Sequence, residues 1–243
     1  MGADVWPKIT AWAVHLFTAF GAVIGAWCLV AIHRGDYREA FFGMLLAVVF
    51  DAVDGPLARR ARVKEVLPQF DGTKLDDIVD YLNYVVVPIV FIHDANLLPA
   101  SGSGWILFFP LLASAYRFCH VSAKTPDHFF TGFPSYWNIL AFYYYVGRSP
   151  LWFNAAFTVF AAIMVLVPIR YIYPSRTRTL RPLTIGLGIL WVAVLLMLLR
   201  QLPDPSPSLV AWSLVYPIYY TVLSFALHWR FLSEGRHTSF ESR

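Results

Sequence analysis

Apolar residues fill this chain in long unbroken runs, not in the stripe of a surface helix or the two-residue alternation of a half-buried strand. Runs near the ~20 residues that cross a bilayer as a helix occur at eight places: 10–32, 40–57, 75–92, 104–121, 133–146, 151–171, 183–199 and 209–227. The fifth is the shortest and most polar. Turn chemistry separates them, as at Ser101-Gly102-Ser103-Gly104, Ser149-Pro150 and Pro203-Asp204-Pro205-Ser206-Pro207. No repeat or soluble second domain interrupts the pattern. The expected fold is therefore an all-α, polytopic integral membrane protein with a single transmembrane domain over 1–243. The first run follows Lys8 as a signal peptide would, but its length predicts an uncleaved helix.

Composition sharpens this picture. Of 243 residues, 58% are hydrophobic and 14% charged, with a mean hydropathy of +0.57; soluble domains carry about 25% charged residues. Disordered chains, collagen-like fibres and disulfide scaffolds are disfavoured. Cys28 and Cys119 have no spacing partners that would make a zinc or redox motif. The net charge of +4 and pI near 9.1 invite a nucleic-acid reading, yet the basic residues are spread over many loops with no recognition motif beside them.

Those basic residues instead orient the chain. With eight spans, fifteen fall on the side of the N-terminus: Lys8, then Arg59, Arg60, Arg62, Lys64 and Lys74, then Arg117 and Lys124, then Arg170, Arg176, Arg178 and Arg181, then Arg230, Arg236 and Arg243. Only Arg34, Arg38, Arg148 and Arg200 fall on the other. The positive-inside rule then predicts both termini in the cytoplasm.

Candidate chemistry lies at the second and third runs. An ionised side chain at the centre of a membrane helix costs about 2.5–3.5 kcal/mol on insertion scales, so a cluster of them calls for a reason. Asp54, Gly55 and Ala58 lie within about 60° of Asp51 on a helical wheel, and Gly72, Asp76 and Asp80 follow at intervals of four. Asp77 falls at the edge of that second face. Two such helices facing each other converge four carboxylates, which repel and protonate unless a cation joins them. All-oxygen ligation suits Mg²⁺ or Mn²⁺, as one ion or a pair. Small residues on these stripes would equally serve close helix packing.

The string Asp51-x-x-Asp54-Gly55-x-x-Ala58-Arg59, followed by Gly72-x-x-x-Asp76-x-x-x-Asp80, resembles the signature of the CDP-alcohol phosphotransferases. Twelve residues separate Arg59 from Gly72 where eight are usual. That longer gap is similar to the bacterial phosphatidylcholine synthases, as are Phe70-Asp71-Gly72, the run from Leu75 to Tyr84, Phe133-Pro134-Ser135-Tyr136-Trp137-Asn138 and the opening Val14-His15-Leu16-Phe17-Thr18.

The resemblance implies that an alcohol attacks the β-phosphorus of a CDP-linked lipid and CMP leaves. Asp51, Asp54 and Asp76 would ligate metal, with Asp80 as general base and further ligand; two ions, Mn²⁺ or Mg²⁺, are expected. Gly55, Ala58 and Gly72 would leave room for CDP, with Arg59, Thr18 and His15 beside it. The subfamily implies CDP-diacylglycerol and free choline as substrates, a bacterial inner membrane, a site open to the cytoplasm and a homodimer. The phosphotransferase core would cover about 10–200, with extra spans to 227. A quaternary ammonium donates no hydrogen bond, so aromatic faces suit it; Tyr81, Tyr84, Asn83, Tyr136, Trp137 and Asn138 are the candidates. A different acceptor, such as serine, glycerol 3-phosphate, an inositol phosphate or ethanolamine, is the first rival. An ion- or proton-coupled transporter is the second, but it leaves Gly55, Ala58, Arg59 and Gly72 unaccounted for.

The charge asymmetry yields a direct test of topology. Green fluorescent protein fused after Arg243 is expected to fluoresce, and alkaline phosphatase fused after Arg34 or Arg148 to be active. The reverse pattern would reject the predicted orientation.

Overall fold

A computed structural model describes residues 5–120, 125, 129–174 and 176–241, with side chains given as far as Ser233. Val121, the predicted end of the fourth span, and the basic residues Lys124 and Arg243 lie outside the described residues, as does the side chain of Arg236. Eleven α-helices and a two-stranded ladder form among the described residues, in two compact units.

The first unit takes in the chain up to Leu107 and the segment Tyr136–Tyr145. It contains α1 (Val5–His33), α2 (Tyr37–Arg60), α3 (Val63–Val66), α4 (Gly72–Tyr81), a π-helical turn (Leu82–Val86), α5 (Val87–Asp94) and most of α7 (Trp137–Val146). Local chemistry fixes the α1–α2 hairpin. Gly35 adopts a left-handed φ of 72°, its N–H bonds to the Ile32 carbonyl at 2.9 Å, and the Asp36 N–H bonds to Ala31 at 3.0 Å. This is a Schellman closure. Asp36 then caps α2 by accepting from the Glu39 N–H at 3.0 Å.

α4 is started by Asp71, whose Oδ1 accepts from the N–H groups of Thr73 and Lys74, each at 3.1 Å. It runs on through the π turn into α5 without a break. The cause of the wider turn is legible in the chain. Pro88, near the start of α5, has no N–H to offer the Tyr84 carbonyl, and in an α-helix its ring would crowd that carbonyl. The backbone widens instead, with the Val87 N–H bonding to the Leu82 carbonyl five residues back.

α1 packs against α2, α4, the π turn and α5. Its approach to α4 depends on Gly21, where a Cβ would stand 2.5 Å from Val79 Cγ1, and on Gly25, where it would stand 2.9 Å from Leu82 Cδ2. Asn83 seals this contact by donating from Nδ2 to the Gly21 carbonyl at 2.9 Å.

The second unit covers Phe108–Ser135 and the chain from Val146 onward. It holds most of α6 (Ser103–Phe118), β1 (Phe129–Thr131), α8 (Leu151–Leu166), β2 (Arg170–Ile172), α9 (Arg181–Gln201), α10 (Pro207–Ser213) and α11 (Val215–Glu241). The predicted sixth span, 151–171, is shorter than expected: helix ends at Leu166 because Val167 turns extended ahead of Pro168. Residues 170–172 form a strand antiparallel to 129–131, with Phe129 opposite Ile172. α11 clips this ladder. Ser224 Oγ accepts from the Ile172 N–H at 3.1 Å, and Tyr220 donates to the Ile172 carbonyl at 3.0 Å. Gly132 sits at φ 82° against the Val165 carbonyl, where no Cβ would fit.

Among the described residues, four helical stretches are long and apolar enough to cross a membrane: Val5–His33, Tyr37–Arg60, Arg181–Gln201 and Pro207–Ser233. Leu151–Leu166 is a shorter apolar helix. Large apolar side chains such as Leu16, Trp105, Leu112, Trp152, Ile189 and Val222 are exposed on the helices, as expected of surfaces solvated by lipid.

The close approach at Gly21 makes stability there non-additive. Gly21→Ala is expected to destabilise the protein in detergent by about 1–3 kcal/mol through overpacking. The Gly21→Ala/Val79→Ala pair should cost less than the sum of the two single changes by more than about 0.5 kcal/mol. Additive costs in a thermal-unfolding cycle would refute the contact.

Candidate active site

The two predicted aspartate stripes meet within the first unit. Carboxylate oxygens of Asp51 from α2 and of Asp76 and Asp80 from α4 lie within 4.8 Å of one another, all three residues half-buried. Helical spacing explains the α4 pair directly, since residues four apart stack on one face. Asp54 lies one turn beyond Asp51 and is 7% exposed. It stands outside the trio but lines the same cleft, with Asp51, Asp80, Thr18, Asn83 and Tyr84. Asp77 is half-buried and also outside the trio.

Three carboxylates at such distances raise one another's cost of ionisation. Their hard oxygen donors match the ligand set that Mg²⁺ and Mn²⁺ prefer. The trio thus fits a divalent cation.

The small residues of the motif divide into two kinds. At Gly55 the neighbour that a Cβ would meet is the arm of Arg59, with Nη1 at 3.3 Å. Arg59 itself is exposed, leaving its guanidinium able to swing toward an anion. Gly72 and Ala58 have partners inside the protein. A Cβ on Gly72 would stand 2.6 Å from His15 Cε1, and Ala58 packs on the cluster of Ala11, Val14, Val63 and Leu67 that joins α1 to α3. His15 is 5% exposed and wedged against Phe70, ring centroids 4.5 Å apart. Arg62, which could have neutralised an aspartate, bridges Glu65 at 3.4 Å on the surface, where such pairs contribute little.

The aromatic and amide candidates are likewise dispersed. Tyr84 donates to Asp51 Oδ2 at 2.8 Å. Asn83 serves the α1 contact, and Tyr81 and Tyr136 are half-buried. Trp137 is wholly buried, and Asn138 is 9% exposed. In the second unit, Arg170 leaves the predicted basic loop for β2. Its guanidinium is sandwiched between Phe129 and Phe231 at 4.4 and 4.0 Å from the ring centroids. The alternation that would reveal a three-residue strand is too short to stand out from an apolar run.

Apolar helices carrying a carboxylate trio that fits a divalent cation define a membrane protein with a hard-cation site. No family model matches the chain, but curated relatives do. It is 42% identical to the phosphatidylcholine synthase of Legionella pneumophila over 222 residues, covering 88% of this chain and 87% of the relative. Identity to the phosphatidylcholine synthase of Pseudomonas aeruginosa is 36% over 203 residues, covering 84% and 85%. With that of Rhizobium meliloti it is 30% over 223 residues, covering 91% and 92%. The chain belongs to the phosphatidylcholine synthase family, and is an enzyme.

The Gly72–His15 contact separates two reasons for a small residue at position 72. Gly72→Ala is expected to lower activity and thermal stability together, and Gly72→Ala/His15→Ala to recover stability relative to Gly72→Ala alone. If the double variant is no more stable than Gly72→Ala, the contact with His15 does not govern this position.

Proposed function

We propose that this enzyme transfers the phosphatidyl group of CDP-diacylglycerol to free choline, giving phosphatidylcholine and CMP. The observation that carries this reading is the convergence of Asp51, Asp76 and Asp80 in a chain whose relatives are named phosphatidylcholine synthases. Asp51, Asp76 and Asp80 would hold the divalent cation, with Asp54 at the edge of the same cleft positioned for a second ion. Bound there, the cation supplies positive charge against the pyrophosphate.

The chain's own groups do the rest. Asp80 takes the hydroxyl proton of choline as the choline oxygen bonds to the β-phosphorus. The anhydride bond to CMP breaks, and CMP leaves with the bonding pair. Gly55 gives backbone access beside the cleft, and Arg59 pairs with phosphate. Thr18 lines the same cleft. The ring faces of Tyr81, Tyr84 and Tyr136 are the groups suited to a quaternary ammonium. The enzyme sits in a bacterial inner membrane with both termini and the site toward the cytoplasm, as its basic residues favour.

The test is CMP release from CDP-diacylglycerol in detergent with Mn²⁺. Release should depend on choline and cease on chelation. Asp80→Asn should lower kcat by about 10²–10⁴-fold, the range of general-base catalysis, and Asp76→Ala should raise the metal requirement. CMP release that responds to serine or glycerol 3-phosphate but not to choline would reject the acceptor. Ion flux retained without CMP formation would reject the transferase reading itself.

A further inference from the structure

We propose that Tyr84 is a positioning residue for the carboxylate centre, its phenol fixing the orientation in which Asp51 meets a divalent cation. This inference rests on the metal-binding reading above and goes beyond it, because it assigns a role to a residue outside the motif. Tyr84 Oη lies 2.8 Å from Asp51 Oδ2, across 33 positions of sequence. Tyr84, Asp51 and Asp80 line one cleft.

The terminal torsion of an aspartate is soft and roughly two-fold, so position on a helix does not by itself decide where each oxygen points. A carboxylate has two oxygens, and one can take the phenol while the other faces the ion. Outer partners of this kind orient metal ligands, and their loss costs about 10–100-fold in metal affinity or activity.

The backbone supports the assignment independently. Tyr84 stands in the π turn, and the residue beside it, Asn83, is anchored on α1 through Gly21 and on its own helix through the Val79 carbonyl at 3.0 Å. Adjacent side chains of one turn thus grip two different helices. Asn83 holds α1, and Tyr84 holds the α2 ligand. A phenol has a single O–H to donate, so the hydroxyl committed to Asp51 has no second proton to offer another ligand.

The experiment uses the full chain in detergent, with Mn²⁺ alone as probe and free Mn²⁺ read by electron paramagnetic resonance. Tyr84→Phe, which keeps the ring, is expected to raise the Kd for Mn²⁺ about 10-fold or more. In turnover with choline it should raise the half-saturating Mn²⁺ concentration by a similar factor. Tyr84→His, which offers an N–H in place of the phenol, should bind Mn²⁺ more tightly than Tyr84→Phe and serves as a second probe of the donor. Parental Mn²⁺ affinity in Tyr84→Phe, with Asp51→Asn weakened, would overturn the role of Tyr84 and leave the metal reading standing. A parent that binds no Mn²⁺, with Asp51→Asn indistinguishable from it, would overturn both.

Discussion

Carboxylates gathered among apolar helices repel one another, and everything around this centre serves to hold them together. Asp51 comes from α2, while Asp76 and Asp80 come from α4. No single helix can keep that trio in register. α1 lies against both carriers, and the bare backbone of Gly21 and Gly25 lets it come close enough for Asn83 to bond across. The price of bringing like charges together is thus met by backbone contact and a buried amide bond.

The sequence carried the grouping of the aspartates better than the architecture around them. Intervals of three and four predict which aspartates share a face, and three of the four motif aspartates do converge; Asp54 lines the same cleft just outside the trio. That rule is local and depends only on helical pitch. What it cannot supply is the identity of the partner across the gap. Gly72 reads in sequence as space for a ligand, yet His15, 57 positions earlier, occupies that space. Tyr84 and Asn83 read as aromatic and amide candidates for a cationic substrate, and their hydrogen bonds go to α2 and α1.

The end of the sixth span departs from expectation for a related reason. Hydropathy averages over a window and does not register a turn of two residues. Val167-Pro168 ends α8 inside an apolar run, and the three-residue strand that follows, Arg170-Tyr171-Ile172, straddles the end of that run. Pro88 was a visible signal of irregularity, since a proline within a helix removes a donor wherever it falls. Its effect, a widened turn carrying both Asn83 and Tyr84, follows from which carbonyl loses that donor.

The cap on α4 bears on how anions are received. A helix start normally offers free N–H groups and a partial positive charge to a phosphate. Here the carboxylate of Asp71 already holds the N–H groups of Thr73 and Lys74. An anion drawn toward this end of the helix meets a negative group where other phosphate-handling proteins present a receptive one. On the function proposed above, attraction for a negatively charged lipid would come from elsewhere: from a cation held by the aspartates, and from exposed basic side chains such as that of Arg59. Anion affinity would in that sense be borrowed from solution, rising and falling with the free concentration of the ion that supplies it.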